Sequence, residues 1–173
     1  DSGIYVSTRW LSTVWKLGSF STPSFGDVVW RLVGEMGVGV PADFRLESEV
    51  TPVVTFEGQH HATIAPDGTL TLFDNRRGST DTSRVVAYDI DLVQGVAELV
   101  DLRDMGELCH VQGTVVKTEA GDWVAVCSPA SRVHHFRADG GGGESFTMEV
   151  LCGDSVAEHT IVPRALPFEL PDP

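Results

Sequence analysis

Gln59-His60-His61-Ala62-Thr63-Ile64-Ala65-Pro66-Asp67-Gly68-Thr69-Leu70-Thr71-Leu72-Phe73-Asp74-Asn75 reads as two short strands meeting at a tight turn. Residues 59 to 65 are extended, Pro66-Asp67-Gly68 supplies a turn with a residue suited to positive φ, and Thr69 to Phe73 alternates polar and apolar. Alternate side chains on a strand face opposite ways, so His60 and His61 are expected to point into different spaces, with one of them functional at most.

Working outward from this hairpin, a four-part order recurs. The units Ser12-Thr13-Val14, Ser83-Arg84-Val85 and Ser131-Arg132-Val133 each open a strand, each follows another strand and each precedes one more. A fourth strand, 59 to 65 or 112 to 118, stands in front of the second and third units. Their starts at 12, 83 and 131 lie 71 and 48 residues apart, and the longer interval holds the irregular segment 33 to 55. Without that insertion both intervals match the 40 to 50 residues of a four-stranded propeller blade. The expected fold is therefore an all-β β-propeller of which this chain supplies about three four-stranded blades. Residues 1–33 form an incomplete blade, 34–58 an irregular insertion, 59–101 and 110–151 two blades, and 155–173 a closing strand and tail. A sandwich also yields short strands with regular turns, but it does not explain the recurring order. Three blades do not close a ring. The expected partner is the upstream half of the same propeller, as more of the gene product or a second chain, or else a second copy. Asp1-Ser2-Gly3 reads as the turn of a hairpin whose first strand lies upstream.

Composition narrows the classes. With 173 residues and 42% hydrophobic side chains the chain can bury a core, and 18 Gly with 9 Pro at short intervals favour strands over helices. The net charge of −13 repels phosphate backbones and anionic lipid, so neither nucleic acid nor a membrane surface is an expected partner. No run approaches the roughly 20 apolar residues of a membrane helix, and the first residues show no basic region followed by an apolar one, as those of a processed chain also would not. An anionic ligand requires a local positive site. Cys109, Cys127 and Cys152 lack metal-ligand spacing; Cys109 and Cys127 are placed to pair across neighbouring strands in an oxidising compartment, and otherwise all three are thiols.

The succession Asp-Val-Val-Trp-Arg-Leu (27–32), Gln-His-His-Ala (59–62), Pro-Asp-Gly-Thr-Leu-Thr-Leu-Phe-Asp-Asn (66–75), Ser-Arg-Val (83–85), Gln-Gly-Thr-Val (112–115) and Phe-Arg-Ala-Asp-Gly (136–140) resembles the bacterial arylsulfotransferase family, in order and over most of the chain. The resemblance implies a six-bladed propeller, periplasmic or extracellular, that moves a sulfuryl group between phenols through a sulfated histidine, with no nucleotide donor and no cofactor. It implies that His60 is the nucleophile and that Arg31 holds the sulfate oxygens, a role suited to a planar guanidinium. Trp10 and Ser12 stand where the family's best-studied branch carries a His-x-Asn pair, which makes them candidate substrate-binding positions. Arg9 is a substitute source of charge, although strand alternation sets it opposite Trp10.

Other candidates follow from position alone. His110, just before Gln112-Gly113, is placed to approach the same channel mouth. Arg76-Arg77 lies in a loop able to meet a sulfate or to be simply solvated. His134 and His135, adjacent on one strand, face opposite ways and are not expected to share a metal. Gly140 to Gly143 precedes no helix and does not read as a phosphate loop. The rival to the enzyme is a non-catalytic propeller that binds a small ligand or a protein at the channel mouth.

Overall fold

The computed structural model describes residues 3–49, 53–77, 80–139 and 144–149. The expected closing strand and tail at 155–173, the Gly140 to Gly143 tip and Cys152 lie outside them. The described chain is all-β. Among the described residues no helix is long and apolar enough to cross a membrane.

Three sheets follow one another along the chain. The first contains β1 (Ile4–Thr8), β2 (Thr13–Leu17) and β3 (Val28–Val33), paired antiparallel in that order. The second contains β4 (Arg45–Glu47), β5 (His60–Ile64), β6 (Leu70–Asp74), β7 (Arg84–Asp91) and β8 (Val96–Asp104), in the spatial order β4-β8-β7-β6-β5. The third contains β9 (Thr114–Lys117), β10 (Trp123–Cys127), β11 (Arg132–Phe136) and β12 (Glu144–Glu149), again in chain order.

The expectation that 34–58 is wholly irregular is corrected by β4, which pairs parallel with β8 through Arg45↔Val96 and Glu47↔Glu98. The sheets therefore hold three, five and four strands, where three, four and four were expected. A parallel partner distant in sequence leaves no hairpin signature, which is why the pattern of residues missed it.

The middle sheet is buried on both faces, because alternate side chains of β6 and β7 enter two different cores. Leu70, Leu72, Val86 and Tyr88 join Val14, Trp30 and Leu32 of the first sheet. Phe73, Val85 and Ala87 join Val115, Trp123, Ala125 and Phe136 of the third. Each core joins one pair of sheets: β1 packs against β5, and β5 and β6 pack against β9. At the second junction Gly113 (φ +114) lies against the ring of Phe73, where an added Cβ would come within 2.6 Å of Cε1.

Two junctions repeat one device. Ser12 Oγ accepts the Gly58 N–H at 3.0 Å, and Ser83 Oγ accepts the Cys109 N–H at 2.8 Å. In each case the serine opening an inner strand of one sheet secures the chain entering the next. Both hydroxyls are buried, so each bond satisfies a backbone donor that water does not reach.

Candidate functional site

The segment entering β5 carries the candidate site. Gln59 is fully buried, its Nε2 donating to the Thr13 carbonyl at 3.1 Å and to Ser7 Oγ at 3.2 Å, so it anchors the start of the strand to the first sheet. The next two residues depart from regular pairing. His60 opposes Phe73 but Thr63 opposes Thr71, so one extra residue is inserted in β5, and His61 takes φ 49.

This bulge corrects the expectation that His60 and His61 face different spaces. His60 Nε2 accepts the Gln112 N–H at 3.3 Å, and His61 Nδ1 accepts the Val115 N–H at 3.2 Å. Both rings reach the entry of β9. The alternation rule fails here because a bulge breaks the two-residue period.

Arg9 and Trp10 also escape alternation. Residues Arg9–Leu11 form a 3-10 turn, closed by Ser12 at φ 42, so they are not on a strand. The Arg9 guanidinium lies 5.5 Å from the Trp10 ring centroid, and its Nη2 donates to the His110 carbonyl at 2.5 Å. Arg9 Nε is buried without a hydrogen-bond partner. The Arg77 guanidinium stacks 3.5 Å from the Trp10 centroid, and Trp10 is 65% exposed. Arg77 runs across Gly58 (φ +64), where an added Cβ would stand 2.8 Å from the Arg77 Cβ.

The electrostatics of the cluster are unusual for this chain. Every other described arginine pairs with a carboxylate. Among the described residues Arg9 and Arg77 have no carboxylate partner, and they lie together on one tryptophan in a protein of net charge −13. Burial, then the neighbouring charge of Arg77, lowers the Arg9 pKa. Burial, then the charge of Arg9, lowers that of His60. His60 is therefore neutral at neutral pH, with its Nε2 lone pair toward Gln112 and its ring proton on Nδ1.

Of the residues singled out by sequence, His60, Trp10 and the backbone of His110 come together; Arg31 and Ser12 do not join them. Arg31 lies on β3, with β2 and β1 between it and β5. Its Nε and Nη2 are bound to Asp43 at 2.9 and 3.3 Å, and its own N–H also donates to that carboxylate. The guanidinium expected to hold an oxyanion is thus occupied in a structural pair. Ser12 is fully buried and holds Gly58, so it belongs to the frame and not to a binding surface. His110 contributes a carbonyl to Arg9.

No known protein family matches the chain, and no curated protein is similar to it.

Arg77 is the member that the sequence left open between a sulfate contact and a solvated loop. The available signal was the glycine at 58, whose missing side chain opens the path to Trp10. His134 and His135 take separate partners, Glu107 at 2.6 Å and Asp122 at 3.5 Å. A cavity lined by Glu35, Phe56, Glu57, Asp74, Arg76 and Arg84 includes none of the cluster. The cationic and aromatic groups beside His60 carry the functional reading, since the basic groups of that cavity are already paired with Asp81 and Asp74.

Proposed function

We propose that the chain is part of a β-propeller that binds a small anionic aromatic ligand, of the aryl sulfate or phenolate class, on Arg9, Trp10, Arg77 and the edge of His60. The observation that carries this reading is the pair of guanidiniums without carboxylate partners on an exposed tryptophan. A planar cation stacked on an aromatic face leaves its N–H edge free for an oxyanion, and the indole offers a surface for a second ring. The propeller reading is supported by the repeated serine bond and by successive packing of β1 on β5 and of β5 and β6 on β9. On that reading the remaining blades come from further chain or a second copy.

Titration of the full-length protein with 4-nitrophenyl sulfate, followed by tryptophan fluorescence and calorimetry, tests it. Saturable binding is expected, with weaker binding of methyl sulfate, which lacks the ring, and of nitrobenzene, which lacks the charge. Equal affinity for all three, or no saturation by the aryl sulfate, rejects the site.

A covalent reading rests on the neutrality of His60. Sulfuryl transfer of the arylsulfotransferase kind has an imidazole lone pair attack sulfur as the aryl S–O bond breaks and phenolate leaves, after which an acceptor phenol takes the sulfuryl group. Arg9, and not Arg31, is the guanidinium near the histidine. The His60 Nε2 lone pair is engaged by Gln112, so attack from that atom first requires the ring to leave this amide. A labile sulfuryl adduct on His60, detected by mass spectrometry and absent in His60→Ala, supports transfer; binding without adduct or phenol release leaves the binding function alone.

A further inference from the structure

We infer that the Cys109–Cys127 disulfide is a redox latch on this site, releasing on reduction the segment that orders Arg9 and His60; its consequence for ligand affinity rests on the reading above. The residues between the end of β8 at Asp104 and the start of β9 at Thr114 belong to no strand. They nevertheless deliver the His110 carbonyl to Arg9 and the Gln112 N–H to His60.

Residues 105–107 are held by Ser83, Arg132 and His134, and beyond them the segment is fixed by a small set of contacts centred on Cys109. Its N–H donates to Ser83 Oγ at 2.8 Å, and its carbonyl accepts from Asn75 Nδ2 at 2.7 Å. The same amide nitrogen of Asn75 also donates to the Gln112 carbonyl at 2.7 Å. The covalent tie runs from Cys109 to Cys127 at the end of β10, across 18 residues of sequence. It joins the unpaired segment to an inner strand of the third sheet. Both sulfurs are buried, so a reductant reaches them only when the segment opens.

A dithiol is the matching reductant. One of its thiolates attacks a protein sulfur and expels the other as thiolate; its second thiol then resolves the mixed disulfide. The dithiol leaves as a disulfide, having supplied two electrons and two protons, and Cys109 and Cys127 remain as thiols. Without the tie, opening no longer has to overcome the closed 18-residue link, and the partners of Arg9 and His60 open with the segment.

The test compares full-length protein before and after treatment with dithiothreitol, with thiols counted by alkylation under denaturing conditions. Hydrogen exchange of the peptide spanning 105–113 is read by mass spectrometry, and 4-nitrophenyl sulfate is titrated into both forms. On reduction, exchange at Cys109 and Gln112 is expected to accelerate, and the dissociation constant to rise, by about tenfold or more each. Cys127→Ser should give the reduced values with or without dithiothreitol; if that variant does not fold, the wild-type comparison decides. Unchanged exchange in verified reduced protein overturns the latch, whether or not the ligand binds. Faster exchange with no binding in either form supports the latch and rejects the aryl-anion site. Faster exchange with equal affinity in both forms overturns the coupling between them.

Discussion

Replacing Asp74 by Asn is expected to lower stability by about 3–5 kcal/mol, the range for breaking a buried ion pair from one side. Asp74 has no exposed surface. Its Oδ1 accepts the Glu57 N–H at 2.8 Å and the Arg76 N–H at 3.1 Å, while Oδ2 accepts Arg84 Nε at 2.8 Å. Burial raises its pKa, with Arg84 and the two amides opposing, so the carboxylate depends on these partners for its charge. Asn preserves the shape and can still accept both amides, but its Nδ2 hydrogens then face the Arg84 Nε–H. Arg84, whose side chain is 14% exposed, keeps the Thr55 carbonyl and loses its counter-charge. Urea unfolding of the full-length protein gives the loss directly if the slope m is unchanged. Arg84→Met should cost a similar amount, and Asp74→Asn with Arg84→Met should cost clearly less than the two combined, since no isolated charge remains. An Asp74→Asn loss under about 1 kcal/mol, or strict additivity in the double variant, refutes this account of the pair.

Arg77→Ala should weaken 4-nitrophenyl sulfate binding about tenfold or more, since a hydrogen bond to a charged group contributes about 1.5–3 kcal/mol, with little change in thermal stability. Arg31→Ala should leave that affinity unchanged and destabilise the protein instead, because its partner is Asp43; calorimetry and thermal unfolding together read the contrast. Gly113→Ala should cost about 2–5 kcal/mol in urea unfolding, combining a strained positive φ with overpacking against Phe73. His60 has a folded pKa below its ordinary 6.5, so the stability linked to it is full above pH 6.5 and is lost as pH falls through the folded value. His60→Gln should flatten the fall in melting temperature over that interval, and an unaltered profile would show that His60 is not the titrating group.

The hairpin at 59–75 was legible because its determinants are local: Pro66-Asp67-Gly68 sets the turn and alternation sets the strand at Thr69. Asp67 Oδ1 indeed accepts the Thr69 N–H at 3.1 Å. What sequence could not supply depended on distant partners or on broken periods. The bulge at His61 is stabilised by Val115, 54 residues away, and two adjacent histidines announce no such insertion. The Cys109–Cys127 pairing stood as one of two alternatives until the third sheet set Cys109 beside the end of β10. Arg31 looked available because the resemblance implied an oxyanion-holding role for it; Asp43, which occupies it, lies in the segment read as irregular.

Repetition itself separates frame from site. The turn at Arg9–Leu11 has a counterpart at Ser128–Ala130, and each ends in a serine with positive φ, Ser12 at 42° and Ser131 at 54°. The conformation is common to both and the serine in each is buried, so Ser12 is explained by the scaffold without any ligand. The residues before it are not common: Arg-Trp-Leu in one turn, Ser-Pro-Ala in the other. A scaffold requirement would act on both turns alike. The exposed tryptophan and the neighbouring arginines without carboxylate partners therefore need another cause, and loops held by a rigid repeated frame are where binding residues concentrate. By the same reasoning Gln59 belongs to the frame, since its Nε2 is bound to Ser7 and Thr13, while His60, one residue later at the bulge, is the residue proposed for the site.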